Sequence, residues 1–347
     1  MNVKNAKDAA RQWVTDEAST LPGFRGALYH GSIVSLPDAA SIQPTSDVDI
    51  VVVVDGPKPD VRMGKFIHQG VMLDVSFLPW DQCHTPELVL GNSHLAESFR
   101  YPDIVSDPTG QLARLQAVVG RDYARSEWVV QRCEHAMHKI RANLNSIDDS
   151  RQFHDQTMAW LFAAGVTTHV LLVAGLRNPT VRKRYVTVRE LLQGYGQSSF
   201  YEPLLALLGC AHMTPARVEH HLSELSAAFD ASANVASTPL PFSSDITEIA
   251  RPIAIDGSKE LIDRGDHREA IFWIVATSLR CQTILHRDAP LGVRDRYEGS
   301  YRELMGELGI DSAFDLKRRG DEVAAFLPRL WDMAENIIVA NPGIDAH

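Results

Sequence analysis

The sequence predicts an α+β fold, with a mixed α+β block at the front of the chain and an all-helical block behind it. Three observations carry this reading. Short β-branched runs bounded by Gly and Pro cluster before residue 110. Strand signals then stop at the turn Asp107-Pro108-Thr109-Gly110. From Ser126 onward apolar residues recur at helical spacing, beginning with Trp128, Val129, Cys133, Met137 and Ile140. Strands first and helices after argue for two domains, 1–120 and 121–347, divided near residue 120.

In order along the chain, residues 4 to 19 read as an opening helix closed by Leu21-Pro22-Gly23. Strands are expected at 26–29, 49–55, 71–78 and 103–105, with a turn at Gly56-Pro57-Lys58-Pro59. Helices are expected near 151–176, 186–194, 200–209, 214–231, 244–264, 267–286, 298–308 and 320–340. The stretch 232–244, with Pro239 and Pro241, reads as the most flexible loop.

The chemistry concentrates in the first block. Tyr29-His30-Gly31-Ser32 is followed, after a loop, by Ser46-Asp47-Val48-Asp49 running into Ile50-Val51-Val52-Val53-Val54. Residues i and i+2 of a strand face the same way, so Asp47 and Asp49 aim two carboxylates at one spot. Two such anions repel unless a cation sits between them, and a hard divalent ion such as Mg²⁺ suits the geometry. Asp74 interrupts the apolar run Val71-Met72-Leu73-Asp74-Val75-Ser76-Phe77-Leu78, where an unpaired carboxylate would be costly. If its strand lies beside that of Asp49, the three carboxylates form one cluster, of the kind that supports two-metal phosphoryl or nucleotidyl transfer. A domain whose aspartates merely cap turns leaves Asp74 unexplained.

Gly31-Ser32, Asp47-Val48-Asp49 and Asp74, in that order, resemble the signature of the DNA polymerase β-like nucleotidyltransferase superfamily. Within it the chain is most similar to the aminoglycoside-type small-molecule nucleotidyltransferases. The resemblance implies an N-terminal mixed-sheet nucleotidyltransferase domain followed by a helical bundle domain. It implies that the Gly31-Ser32 turn begins a helix and holds the nucleotide's β- and γ-phosphates. Asp47, Asp49 and Asp74 become metal-binding and catalytic, with Asp74 also a candidate base. The implied ligands are Mg²⁺ and an NTP, ATP foremost, and a small polar acceptor such as an aminoglycoside-like compound, as in antibiotic-modifying enzymes. The segment 33–46 is longer than this pattern expects. It should bulge around Leu36-Pro37-Asp38-Ala39-Ala40 and could disturb the phosphate turn.

Composition narrows the partners. The 347 residues carry 34 Lys and Arg against 44 Asp and Glu, a net charge of −10, which counts against general nucleic-acid binding. Four scattered cysteines form no Cys-x-x-Cys and read as core thiols of a reducing, cytoplasmic setting. The apolar stretch 158–176 approaches membrane-span length, but Thr167, Thr168 and His169 at its middle favour a buried bundle helix. The many apolar helices leave room for a dimer interface.

The densest basic segment, Arg177 to Tyr185, offers Lys183 and Arg184 as triphosphate contacts and Tyr185 as a stacking partner; the competing reading is a solvated helix start. Asp266 and Glu269 read as a capping box, with a rival reading that puts His267, Arg268 or Glu269 at the active-site cleft, where Glu87 and Glu97 compete as base. Two other functions stay open at this stage. One is modification of a protein or RNA, as in a toxin–antitoxin or regulatory pair. The other is a non-catalytic nucleotide-sensing module.

Overall fold

A computed structural model of the chain describes residues 1–57, 63–179 and 181–345. It has two compact units. The first comprises Met1–Arg132, Pro239–Asp245 and Gly343–His347; the second comprises Cys133–Thr238 and Ile246–Pro342.

The first unit is built on a five-stranded mixed sheet. Its strands are β1 (Phe24–His30), β2 (Val48–Val54), β3 (Gly64–His68), β4 (Val71–Pro79) and β5 (Ile104–Ser106), in the order β3-β4-β2-β1-β5. Only β2 and β4 run parallel; the other pairs are antiparallel. Alternation along β2 and β4 divides the apolar side chains between two faces. Val48, Ile50, Val52, Leu73 and Val75 pack against helix α1 (Val3–Asp16), whose Val3, Ala6, Ala10, Trp13 and Val14 form its inward stripe. Val51, Val53 and Leu78 pack on the opposite face with Leu112, Leu115 and Val119 of helix α3 (Gln111–Asp122), beyond the short helix α2 (Pro86–Leu90). Each such aliphatic side chain, fully buried, contributes about 1.5–3 kcal/mol.

Two features go beyond the sequence reading. The strand β3 escaped notice, and it places Lys65 directly opposite Asp74. The 33–46 loop does not swing free. Asn2 bridges to Ser41, and the Val3, Lys4 and Ile42 amides donate to Ala40, Asp38 and Met1 carbonyls, so the loop is strapped to the start of α1. Part of the turn expected at Gly56-Pro57-Lys58-Pro59 lies outside the described residues, as does Thr180 of the basic segment.

Helix α4 (Ser126–Asn145) leads into the second unit, which is helical among its described residues. Its helices are α5 (Phe153–Ala174), α6 (Arg184–Gly194), α7 (Tyr201–Leu208), α8 (Pro215–Val235), α9 (Gly257–Asp263), α10 (His267–Asp288), α11 (Leu291–Glu307) and α12 (Ala313–Ala340). Helix α5 is apolar on every side because it is surrounded by its neighbours, α6, α7, α10 and α12 among them. It is long and apolar enough to cross a membrane, and 78% of its most apolar window is buried inside the fold.

The continuous helix expected at 244–264 is broken. Turns at Ser243–Asp245, Glu248–Ala250 and Pro252–Asp256 precede the short α9. Pro252 has no amide hydrogen to extend a helix, and a widened π-helical turn, Pro252–Asp256, which includes Ile253, follows it. Arg182 donates to the Ile253 carbonyl at 3.0 Å, with its guanidinium lying where a side chain on Gly257 would stand. The expected capping box is also absent. Asp266 makes no side-chain cap, and the buried Glu269 instead accepts from Arg189 at 2.6 Å and Tyr201 at 2.7 Å.

Candidate metal centre

Strand β1 ends in His30, which pairs with Asp49, and the chain then turns at Gly31. Gly31 has a φ of 66°, a region that side-chain-bearing residues enter only with strain. A Cβ there would overlap the Asp49 carboxylate, whose Cγ would lie 3.0 Å away. The glycine therefore allows the turn to lie directly against the Asp49 side chain. The turn opens a short helix, Gly31–Ser35, of 3₁₀ type, and Ser32 is exposed.

The parallel pairing of β2 with β4 sets Asp49 opposite Asp74, and Asp47 lies just ahead of β2. One oxygen from each of Asp47, Asp49 and Asp74 falls within 4.8 Å of the other two. Asp74 is 4% exposed, while Asp47 and Asp49 are half-buried. The conditional expectation that adjacent strands would gather the three carboxylates is met in full.

Two further charged residues complete the cluster. Lys65 Nζ lies 2.8 Å from Asp47 Oδ2 and 3.2 Å from Asp245 Oδ1, and it contacts Asp74 Oδ2 directly. Burial works against the Lys65 ammonium, but Asp47, Asp74 and Asp245 together outweigh it and raise its pKa above the ordinary lysine value. The ammonium supplies positive charge to three of these carboxylates, Asp47, Asp74 and Asp245. Asp245 comes from the 239–245 segment, and its neighbour Ser244 sits on Gly64, leaving no room there for a Cβ.

The donor set fits Mg²⁺. All three triad donors are carboxylate oxygens, the hard ligands this ion takes at about 2.0–2.1 Å. Donors to one such ion lie at most about twice that distance apart, so oxygens within 4.8 Å of one another are on the scale of a single divalent-ion site.

The surroundings are largely committed to structure. His30 Nδ1 lies 2.5 Å from Ser98 Oγ, and burial pushes its imidazole down to about 4, so the ring is neutral near pH 7. Of the two competing bases, Glu97 is buried and accepts from the Tyr123 hydroxyl, while Glu87 is exposed on α2.

The basic segment behaves differently from its expectation. Arg184 is 2% exposed, stacked 3.7 Å over the Phe272 ring and donating to the Val181 carbonyl at 2.8 Å. Tyr185 is fully buried. Burial leaves neither group open to a nucleotide, which corrects the triphosphate and stacking roles expected of them. Lys183 is exposed on the second unit. His267 and Arg268 are likewise engaged within that unit, His267 with the Met213 carbonyl and Arg268 with Glu202 and the Ala211 carbonyl.

Sequence reasoning missed Lys65 and Asp245. A lysine in a short Gly-to-His run with two adjacent apolar residues was a weak signal, and nothing local ties Asp245 to the sheet. Comparison of the chain with protein-family models, curated proteins and solved structures yields no match.

Proposed function

We propose that the chain is a Mg²⁺-dependent nucleotidyltransferase that moves a nucleoside monophosphate, AMP from ATP foremost, to a hydroxyl of a small polar acceptor. The observation that carries this reading is the meeting of Asp47, Asp49 and Asp74 oxygens within 4.8 Å, beside the Gly31 turn. The resemblance of these residues to the nucleotidyltransferase signature supplies the reaction type.

Asp47, Asp49 and Asp74 would hold the metal, which when bound supplies Lewis acidity toward phosphate oxygens and a lowered pKa for a hydroxyl. Gly31 and Ser32 receive the β- and γ-phosphates, because a turn without a Cβ lets the backbone approach them closely. The acceptor oxygen forms a bond to the α-phosphorus as the bond to the pyrophosphate oxygen breaks. The hydroxyl proton passes to a carboxylate, for which Asp74 is the candidate.

Lys65 favours a second reading. Its ammonium already neutralises Asp47 and Asp74, as in a domain that binds nucleotide without turnover. Pyrophosphate release separates the two. Purified protein is incubated with Mg²⁺ and each NTP, with and without aminoglycosides and other polyhydroxylated compounds. Release that depends on an acceptor supports the transferase. Mg²⁺–NTP binding without release, whatever the small acceptor, favours the sensing module or a macromolecular acceptor.

A further inference from the structure

We propose that Lys65 is the resident counter-ion of the carboxylate cluster and a positioning residue for it. It competes with a divalent cation for Asp47 and Asp74, and Asp245 retains its ammonium when the cation enters. The proposal rests on the metal-binding part of the reading above, not on the transfer reaction.

Lys65 and a divalent ion would share partners. Asp47 and Asp74 are two of the three carboxylates whose oxygens converge, and the same two carboxylates hold the Lys65 ammonium. The Lys65 side chain is 8% exposed, so it is not a surface cation brushing the cluster. A divalent ion and an ammonium drawing on one pair of carboxylates repel each other in a site that screens charge poorly. Without either cation, three carboxylates would face one another with no counter-charge.

The displaced ammonium also has somewhere to go. Asp245, 3.2 Å from Nζ, lies outside the converging triad and remains as a partner once Asp47 and Asp74 turn to the metal. Its backbone is held from outside the triad. Ser244 packs on the backbone of Gly64, which has a φ of 68° and no space for a Cβ, so the 243–245 turn is seated at the start of the strand that carries Lys65. Lys65 is anchored opposite Asp74 through strand pairing, and its four-carbon stem can swing while its backbone stays fixed.

The test uses Mn²⁺ alone as the probe, with binding followed by electron paramagnetic resonance and calorimetry on the full chain. Lys65→Met is expected to bind Mn²⁺ tenfold or more tightly than the wild type. Asp245→Asn is expected to weaken Mn²⁺ binding severalfold when Lys65 is present and to have little effect beside Lys65→Met. A folded Lys65→Met chain that binds Mn²⁺ equally or more weakly overturns the proposal.

A second measurement uses the unaltered chain, so a variant that fails to fold leaves the proposal testable. Acetic anhydride labelling of Lys65, read by mass spectrometry, should rise at saturating Mg²⁺, because the ammonium loses two of its three anionic partners. Unchanged or reduced labelling overturns the proposal. Mn²⁺ competition without any pyrophosphate release would sink the transferase reading and leave this one standing. Absence of Mn²⁺ binding in every variant would sink both.

Discussion

Asp49 and Asp74 are direct partners across the parallel strands β2 and β4. The same register sets Val48 opposite Leu73 and Ile50 opposite Val75, all facing α1. A one-residue slip of β4 would carry Asp74 into that apolar layer and bring Leu73 or Val75 to the carboxylate cluster. Core packing thus fixes where the carboxylates meet, and the site inherits its geometry from the sheet.

Gly31 is where this geometry is most sensitive to a single methyl group. In Gly31→Ala the new Cβ meets the Asp49 carboxylate in a backbone conformation that already strains alanine. We expect a loss of about 1–3 kcal/mol in stability. Because Asp49 must turn away, divalent-ion affinity should fall as well. Urea unfolding and Mn²⁺ titration check the two effects separately, and normal Mn²⁺ affinity would show that Asp49 is not a ligand.

What the sequence disclosed, and what it hid, follows from range. Asp47 and Asp49 were legible because alternation is local, and Asp74 because a carboxylate in an apolar run must find a partner. Strands β1, β2 and β4 were legible for the same reason. Strand β3 was not, since Gly64-Lys65-Phe66-Ile67-His68 is short and only two of its residues are strongly apolar. The Lys65–Asp245 pair joins residues far apart in the chain, which no local pattern records. At 182–185, a run of charges suggested a solvated or phosphate-binding surface. Arg182 instead serves the Ile253 carbonyl, and Arg184 turns inward onto Phe272.

That inward turn yields a prediction about Arg184. Its guanidinium is buried over an aromatic ring, with Nη1 lacking a hydrogen-bond partner, and burial lowers its pKa to about 9. Holding such a charge without a carboxylate is costly, and a long apolar side chain fills similar space. Arg184→Met should therefore unfold at the same temperature as the wild type or above it. Its nucleotide affinity should be unchanged, as nucleotide titration by calorimetry would report. A tenfold loss of affinity in a folded variant would restore the phosphate-binding role.

Asp288, at the end of α10, supplies a pH dependence. Its carboxylate accepts from the Ser237 amide and from the Thr238 amide and hydroxyl, and these bonds lower its pKa to about 2. A carboxylate depressed on folding stabilises the folded chain above its ordinary pKa and loses that effect as pH falls through the folded value. The Asp288 contribution should thus be full at pH 5 and fade between about pH 4 and 2. Asp288→Asn should be less stable than the wild type at pH 6, with the gap closing in acid. Thermal denaturation across that range measures it, and a constant gap would contradict the assignment.

The central claim is that Asp47, Asp49 and Asp74 form one centre for nucleotidyl transfer. It is tested most directly by following two labels in parallel, ATP labelled at the α-phosphate and ATP labelled at the γ-phosphate, with Mg²⁺ and an acceptor that supports pyrophosphate release. The account predicts that the α label moves to the acceptor, that the γ label leaves as pyrophosphate, and that a folded Asp49→Asn chain does neither. The γ label on the acceptor, or α transfer undiminished in Asp49→Asn, would contradict it.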